Sequence, residues 1–212
     1  MKYIELKTAL KDFIVFSVRD IKKLDNDFHS QRLSEWQKKN YVKKISKNLY
    51  IFSDINTNEE VLFLIANKLY GPSYVSLEMA LNFYNLIPEG VYSITSISTK
   101  KTGGFETEIG NFYYHNVKPK LFFGYRLAKV EDQNYKIAEI EKAVLDYLYF
   151  HPEMESEAAF SEWRFNVDEF RRKADMEKFN SYLAICESSS LEKRARKFLK
   201  YLENNNAHPK SN

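Results

Sequence analysis

The spacing of apolar residues changes several times along the first fifty positions. Tyr3, Leu6, Leu10 and Phe13 recur at helical spacing and predict a first helix. Phe13-Ile14-Val15-Phe16 is a short apolar run of strand character. Ser17 then offers an N-cap with Asp20 three residues on, a variant of the capping box, and Val18, Ile21 and Leu24 form the inner stripe of a second short helix. Asp25-Asn26-Asp27 reads as a turn. A third helix is predicted over 28–39, with Phe28, Leu33 and Trp36 facing inward and Asn40 closing it in a left-handed conformation. Two β-prone runs follow, 41–45 and 49–52, joined by Ser46-Lys47-Asn48 as a hairpin tip with Asn48 again left-handed. Tyr50 and Phe52 share a face. Val42 and Ile45 break strict alternation, which predicts a bulge or a very short strand. Helix, strand, helix, helix, strand, strand is the order of a winged helix-turn-helix.

Past residue 52 the pattern changes. Thr57 and Glu60 suggest a capping box before a helix carrying Val61, Leu62, Leu64, Ile65 and Leu69, which Gly71-Pro72 breaks. Ser76 is expected to cap a helix that ends before Pro88. Strands are predicted at 91–98, 105–109, 111–117 and 120–130, with Thr102-Gly103-Gly104 as a turn. A helix at 137–150 stops at His151-Pro152, and helical pieces follow near 155–163, 166–173, 175–187 and 190–203. The expectation is an α+β chain in three parts. Residues 1–52 form a winged helix-turn-helix and 53–150 a mixed α/β body. Residues 151–212 are a helical segment that either stands alone or belongs to the second domain.

Composition limits the function classes. Hydrophobic residues make up 44% of the 212, enough for a packed core, so disorder throughout is not expected. The one cysteine, Cys186, rules out an intramolecular disulfide and points to the cytoplasm. The amino-terminal residues, broken by charge every few positions, do not read as a signal peptide, and no apolar run of membrane-spanning length occurs.

Charge is spread unevenly. Residues 1–52 hold ten Lys and two Arg against four Asp and two Glu, a balance of +6, which leaves −3 for the remainder of a chain of net charge +3. An anionic partner is therefore expected for the first part only. The third helix offers His29, Ser30, Gln31, Arg32 and Glu35 as candidates to read base edges, since Arg pairs with guanine and Gln with adenine. Lys38, Lys39, Lys43, Lys44 and Lys47 suit phosphates, which position a protein on DNA without specifying sequence. The plainer reading of these lysines is a solvated helix face and an edge hairpin guarded against aggregation.

Other chemistry finds little support. His29, His115, His151 and His208 lack the spacing of a zinc pair, so no metal and no cofactor are expected. Glu106 and Glu108 share a strand face, but no compact acid-acid-lysine arrangement and no Gly-rich phosphate loop appears, so no catalytic residues and no enzyme are expected. The aromatics at 112–114 and 122–125 fit a sheet covered on both faces better than a base-stacking platform.

Three segments carry a family likeness: RLSEWQKKNYVKKISKNLYIF (32–52), GPSYVSLEMALNFYNLIPEGVYSIT (71–95) and IEKAVLDYLYF (140–150). In this order the chain resembles the AbiEi family of antitoxins, the regulator half of type IV (abortive infection) toxin-antitoxin pairs. The family's glycines at the helix end and wing tip are Asn40 and Asn48 here, and residues 151–212 have no counterpart in the likeness. The resemblance implies a transcriptional autorepressor that binds inverted repeats in its own promoter. It also implies an antitoxin that counteracts a nucleotidyltransferase-like toxin without requiring a direct complex. Two other classes stay open: a stand-alone winged-helix transcription factor with a ligand-sensing body, and a nucleic-acid-processing enzyme with an accessory DNA-binding module.

Overall fold

A three-stranded sheet and three short helices make up the first fifty residues of the computed structural model, which describes residues 1–88, 90 and 92–205. The elements run α1 (Tyr3–Ala9), β1 (Phe16–Ser17), α2 (Val18–Leu24), α3 (Gln31–Lys38), β2 (Val42–Lys44) and β3 (Leu49–Phe52), with sheet order β1-β3-β2. Local chemistry sets several of these boundaries. Ser17 and Asp20 form the reciprocal capping box of α2, and Asn40 takes a φ of 54° just beyond α3. Ile45 and Ser46 both donate to the Leu49 carbonyl, so β2 ends after three residues in a bulge-like turn. Three details differ from expectation. Phe13 and Leu24 are solvent-exposed, because the buried stripes of α1 and α2 narrow to Leu6, Leu10 and Ile21. Asn48 is not among the residues of positive φ, because the bulge at 45–46 turns the chain instead.

The body is a mixed six-stranded sheet with helices on both faces. α4 (Glu59–Leu69), β4 (Ser73–Val75), α5 (Leu77–Phe83), β5 (Ser93–Ser98), β6 (Gly103–Thr107), β7 (Gly110–Asn116), β8 (Tyr125–Val130), β9 (Gln133–Ala138) and α6 (Ile140–Phe150) follow in turn. The strand order is β6-β7-β5-β4-β9-β8, with β4–β9 and β5–β7 parallel and the other neighbours antiparallel. Strand alternation assigns the faces. The Tyr114 hydroxyl reaches the Ala66 carbonyl and Tyr135 reaches Glu60, both on α4. Tyr74 reaches Asp146 on α6, on the other face.

Several expectations are corrected here. The cap of α4 is Asn58, whose side chain accepts from the Val61 amide (3.0 Å), not Thr57. Gly103 and Gly104 pair within β6 instead of turning. Residues 119–121 form a 3-10 turn, and the strand predicted from 120 begins only at Tyr125. β4 and β9 were not expected. Ile137 and Ala138, read as the start of a helix, end β9 instead. The part of the 91–98 strand at Val91, and His208 in the tail, lie outside the described residues.

Four helices close the chain: α7 (Glu157–Glu162), α8 (Val167–Lys173), α9 (Met176–Cys186) and α10 (Ser189–Asn204). Each is capped by its own side chain, from Ser156, Asn166, Asp175 and Ser188. Phe160, Phe170, Phe179 and Phe198 join the same hydrophobic cluster as the sheet, so the C-terminal helices share the body's core. No described helix is long and apolar enough to cross a membrane.

The N-terminal part has a small core of its own, built on Leu6, Phe16, Ile21, Leu33, Trp36 and Phe52. β3 is buried on both faces, however. Tyr50 and Phe52 enter that core, while Ile51, with Ile14, Val15 and Ile45, packs into the cluster of the body. A cut between residues 52 and 53 therefore runs through a shared hydrophobic contact. A fragment starting at 53 would expose the surface those four side chains cover, so tests of divided function need the full chain.

Candidate nucleic-acid interface

α3 turns Leu33 and Trp36 inward, which leaves His29, Ser30, Gln31, Arg32, Ser34, Glu35, Lys38 and Lys39 exposed. His29, Ser30 and Gln31 lie at the start of the helix with free side chains, and Glu35 lies one turn on. Arg32 is engaged: its guanidinium donates to the Met1 carbonyl. That contact holds it beside Asp25, which takes the Met1 ammonium at 2.8 Å. Reading a base would require Arg32 to leave the Met1 carbonyl.

The five lysines divide. Lys38 and Lys39 end α3, and Lys44 and Lys47 stand exposed on the edge strand and tip of the β2–β3 hairpin. Lys43 is half-buried and registers with Ile51, so it lies on the side of the sheet that packs on the body. None of the five has a carboxylate partner within 4.0 Å among the described residues. By contrast Lys7 pairs with Asp54, Lys120 with Glu187, Lys129 with Asp132 and Lys178 with Glu139. Exposed Lys11, Lys22, Lys118 and Lys193 likewise have no carboxylate partner among the described residues, so what marks the present lysines is their concentration on one helix end and one hairpin, which offers charge to an external anion. Arg19 and Lys22 are also exposed, on α2. Their polar positions off the Val18, Ile21 and Leu24 stripe mark them in the sequence.

One neighbour opposes this charge. Lys44, Ser46 and Lys47 share a groove of about 670 Å³ with Glu106, Thr107, Glu108 and Asn111 at the β6–β7 turn. Both glutamates are exposed, and neither forms an ion pair with the hairpin lysines.

A second constellation lies deep in the body. The Lys142 ammonium donates to the Tyr74 hydroxyl (2.9 Å) and to the Asp146 carboxylate, which also accepts from Tyr74 (3.0 Å) and from Ser76 Oγ (2.8 Å). All four side chains are buried. Burial and the Asp146 charge hold the Tyr74 phenol well above its usual pKa, so it remains a donor. The Lys142 ammonium lies over the Phe123 ring (5.2 Å), and Gly124 at φ +70° lets the loop close on it. A Cβ at 124 would come within 2.9 Å of the Lys142 stem. The adjoining cavity holds only about 10 Å³, at the lower limit for one water, so the network is a structural brace with no room for a substrate. Ser76 spends its hydroxyl here and does not cap α5. Tyr74 and Ser76 lie in one of the segments that carry the family likeness, and Lys142 and Asp146 in another, so the two meet at this network. The Lys142–Asp146 spacing of i, i+4 was the signal available in sequence. Neighbouring Glu139 and Glu141 bind Lys178 and the Asp175 amide, tying α6 to α9.

Among the described residues no three His, Cys, Asp or Glu side chains converge to hold a metal. No family model matches the chain, and no curated protein matches it either.

Proposed function

We propose that the chain is a DNA-binding transcriptional autorepressor and the antitoxin to a nucleotidyltransferase-like toxin, the role implied by its resemblance to the AbiEi family. One observation supports the DNA-binding part above all. Lys38, Lys39, Lys44 and Lys47 stand exposed and unpaired on α3 and the β2–β3 hairpin. The element order and the β1-β3-β2 sheet of this part support reading it as a winged helix-turn-helix. In this reading α3 enters the major groove, with His29, Ser30, Gln31 and Glu35 toward base edges and Arg32 joining them once it leaves Met1. The four exposed lysines hold phosphates on either side. Inverted repeats in the promoter take two copies of the chain. The body, acidic on balance and larger, supplies the surface for action against the toxin in the cytoplasm.

Repression and protection then separate within the intact chain. Full-length protein with Lys38, Lys39, Lys44 and Lys47 changed to Ala should fail to repress a reporter behind its own promoter. It should still restore growth when the neighbouring toxin gene is induced. Loss of protection by this variant, with its folded state verified by circular dichroism, would show that antitoxin action runs through the DNA-binding surface.

A second reading makes the groove of Lys44, Lys47, Glu106 and Glu108 a reaction site of a nucleic-acid-processing enzyme. Glu106→Gln with Glu108→Gln separates the two. If the hairpin grips phosphate, removing two neighbouring negative charges should tighten duplex binding several-fold at low salt, with the gain fading near roughly 1 M salt. If the groove is catalytic, the same change should abolish a cleavage or transfer activity seen with the unsubstituted protein.

A further inference from the structure

The sheet face opposite α4 is incompletely covered. On β7, Phe112 and Tyr114 point to α4 and are buried, while Tyr113 on the other side is 41% exposed. Phe150 of α6 packs on His115 (5.0 Å), and Trp163, which follows α7, stacks on Tyr147, but Tyr113 is left without such cover. The result is a cleft of about 840 Å³, within the range of small-molecule sites. Its walls include Tyr113 and His115 of β7, Glu78 of α5, Tyr147 of α6, and Glu162 and Trp163 of α7. The sequence had suggested that both faces were covered here.

The walls are packed in place, and their carboxylates outnumber their lysines and arginines among the described residues. Tyr147 is stacked between His151 (3.9 Å, 16°) and Trp163 (4.5 Å, 9°). Tyr113 lies against Gly104, where a Cβ would come within 2.9 Å of its ring. Two carboxylates, Glu78 and Glu162, line the cleft, and no lysine or arginine does so among the described residues. This holds in a chain with more basic than acidic residues. His151 Nδ1 faces the Tyr147 carbonyl at 2.9 Å and must carry the proton there, because a carbonyl only accepts. Its Nε2 stands 3.5 Å from a Glu78 oxygen. Burial lowers the pKa of His115, the second imidazole of the cleft wall.

We propose that this cleft is a binding site for a small organic cation, an amine or amidine on an apolar or aromatic body. The carboxylates attract the charge, and the aromatic walls take both the cation and its body. An anionic ligand has no cation to meet. The assignment stands independently of the DNA-binding reading.

The test uses the intact chain. Trp36→Phe leaves Trp163, in the cleft wall, as the sole tryptophan of the two in the chain. Its fluorescence should change saturably with benzamidine, about tenfold more weakly with the neutral benzamide, and not at all with benzoate. Calorimetry on the unsubstituted protein gives the same comparison if Trp36→Phe does not fold. Glu78→Gln should weaken benzamidine binding about tenfold, and the exposed Glu162→Gln several-fold. Should Glu78→Gln unfold, Glu162→Gln decides. Benzamide or benzoate binding as tightly as benzamidine would overturn the proposal. So would the absence of saturation by benzamidine, or binding unaffected by the glutamine substitutions that fold. Tighter binding of an arginine-containing peptide would overturn the small-molecule assignment and make the cleft a docking point for a basic segment.

Discussion

Lys142→Met should cost the protein about 3–5 kcal/mol of stability, the largest effect expected of any single substitution here. Methionine nearly matches the lysine stem in length, so the change removes charge and hydrogen bonds more than volume. Asp146 would be left as a buried carboxylate held only by the Tyr74 and Ser76 hydroxyls. An uncompensated charge in such a site is costly, whereas the intact pair, with its remaining acceptor sites filled by hydroxyls, is close to balanced. The double change Lys142→Met with Asp146→Asn should therefore recover most of the loss. The amide oxygen still accepts from both hydroxyls and carries no charge to strand. Urea denaturation of the two single variants and the double variant measures the coupling. A Lys142→Met protein within about 0.5 kcal/mol of the original would mean that the network contributes nothing beyond packing.

This network also shows what a sequence can hide. Lys142 and Asp146 stand in IEKAVLDYL, where charges on a helix are ordinarily read as its wet face. Only the fold brings Tyr74 and Ser76 against them, from a strand nearly seventy residues earlier. That strand, β4, was itself hidden, since three residues after Gly71-Pro72 give too little period to read. β9 was hidden for a different reason: Ile137 and Ala138 run without a break into the apolar stripe of α6.

The N-terminal elements were legible because each change of period coincides with a cap or turn, as at Ser17 and Asn40. The contact with the body was not expected, because a boundary at residue 52 and the shared face of Tyr50 and Phe52 leave the other face of this strand unassigned. Leu49-Tyr50-Ile51-Phe52 is apolar at all four positions, the mark of a strand covered on both sides. Of the candidate DNA-facing residues, sequence identified the charge but not its orientation. Lys43 turned to the body's side of the sheet, and Arg32 was already engaged by Met1. The cleft at β7 was not legible at all, because whether a helix covers Tyr113 depends on where α5 and α6 end in space.

The second large effect concerns DNA. Each phosphate contact made by a lysine releases a counterion, so the logarithm of affinity falls with the logarithm of salt by about 0.9 per contact. Lys38, Lys39, Lys44 and Lys47 are unpaired, so no internal ion pair must break before they bind. Changing all four to Ala should weaken binding to any duplex roughly 100-fold at about 0.1 M salt. Lys43→Ala, on the side of the sheet that packs on the body, should change binding little. The measurement closest to the central claim is fluorescence anisotropy of the full-length protein on its own promoter DNA and on random duplex DNA across a salt series. The account predicts a steep salt dependence for the unsubstituted protein, reduced by about 3–4 units of slope in the four-lysine variant on both DNAs. An unchanged slope and affinity in a folded variant would contradict the assignment of DNA binding to α3 and the β2–β3 hairpin.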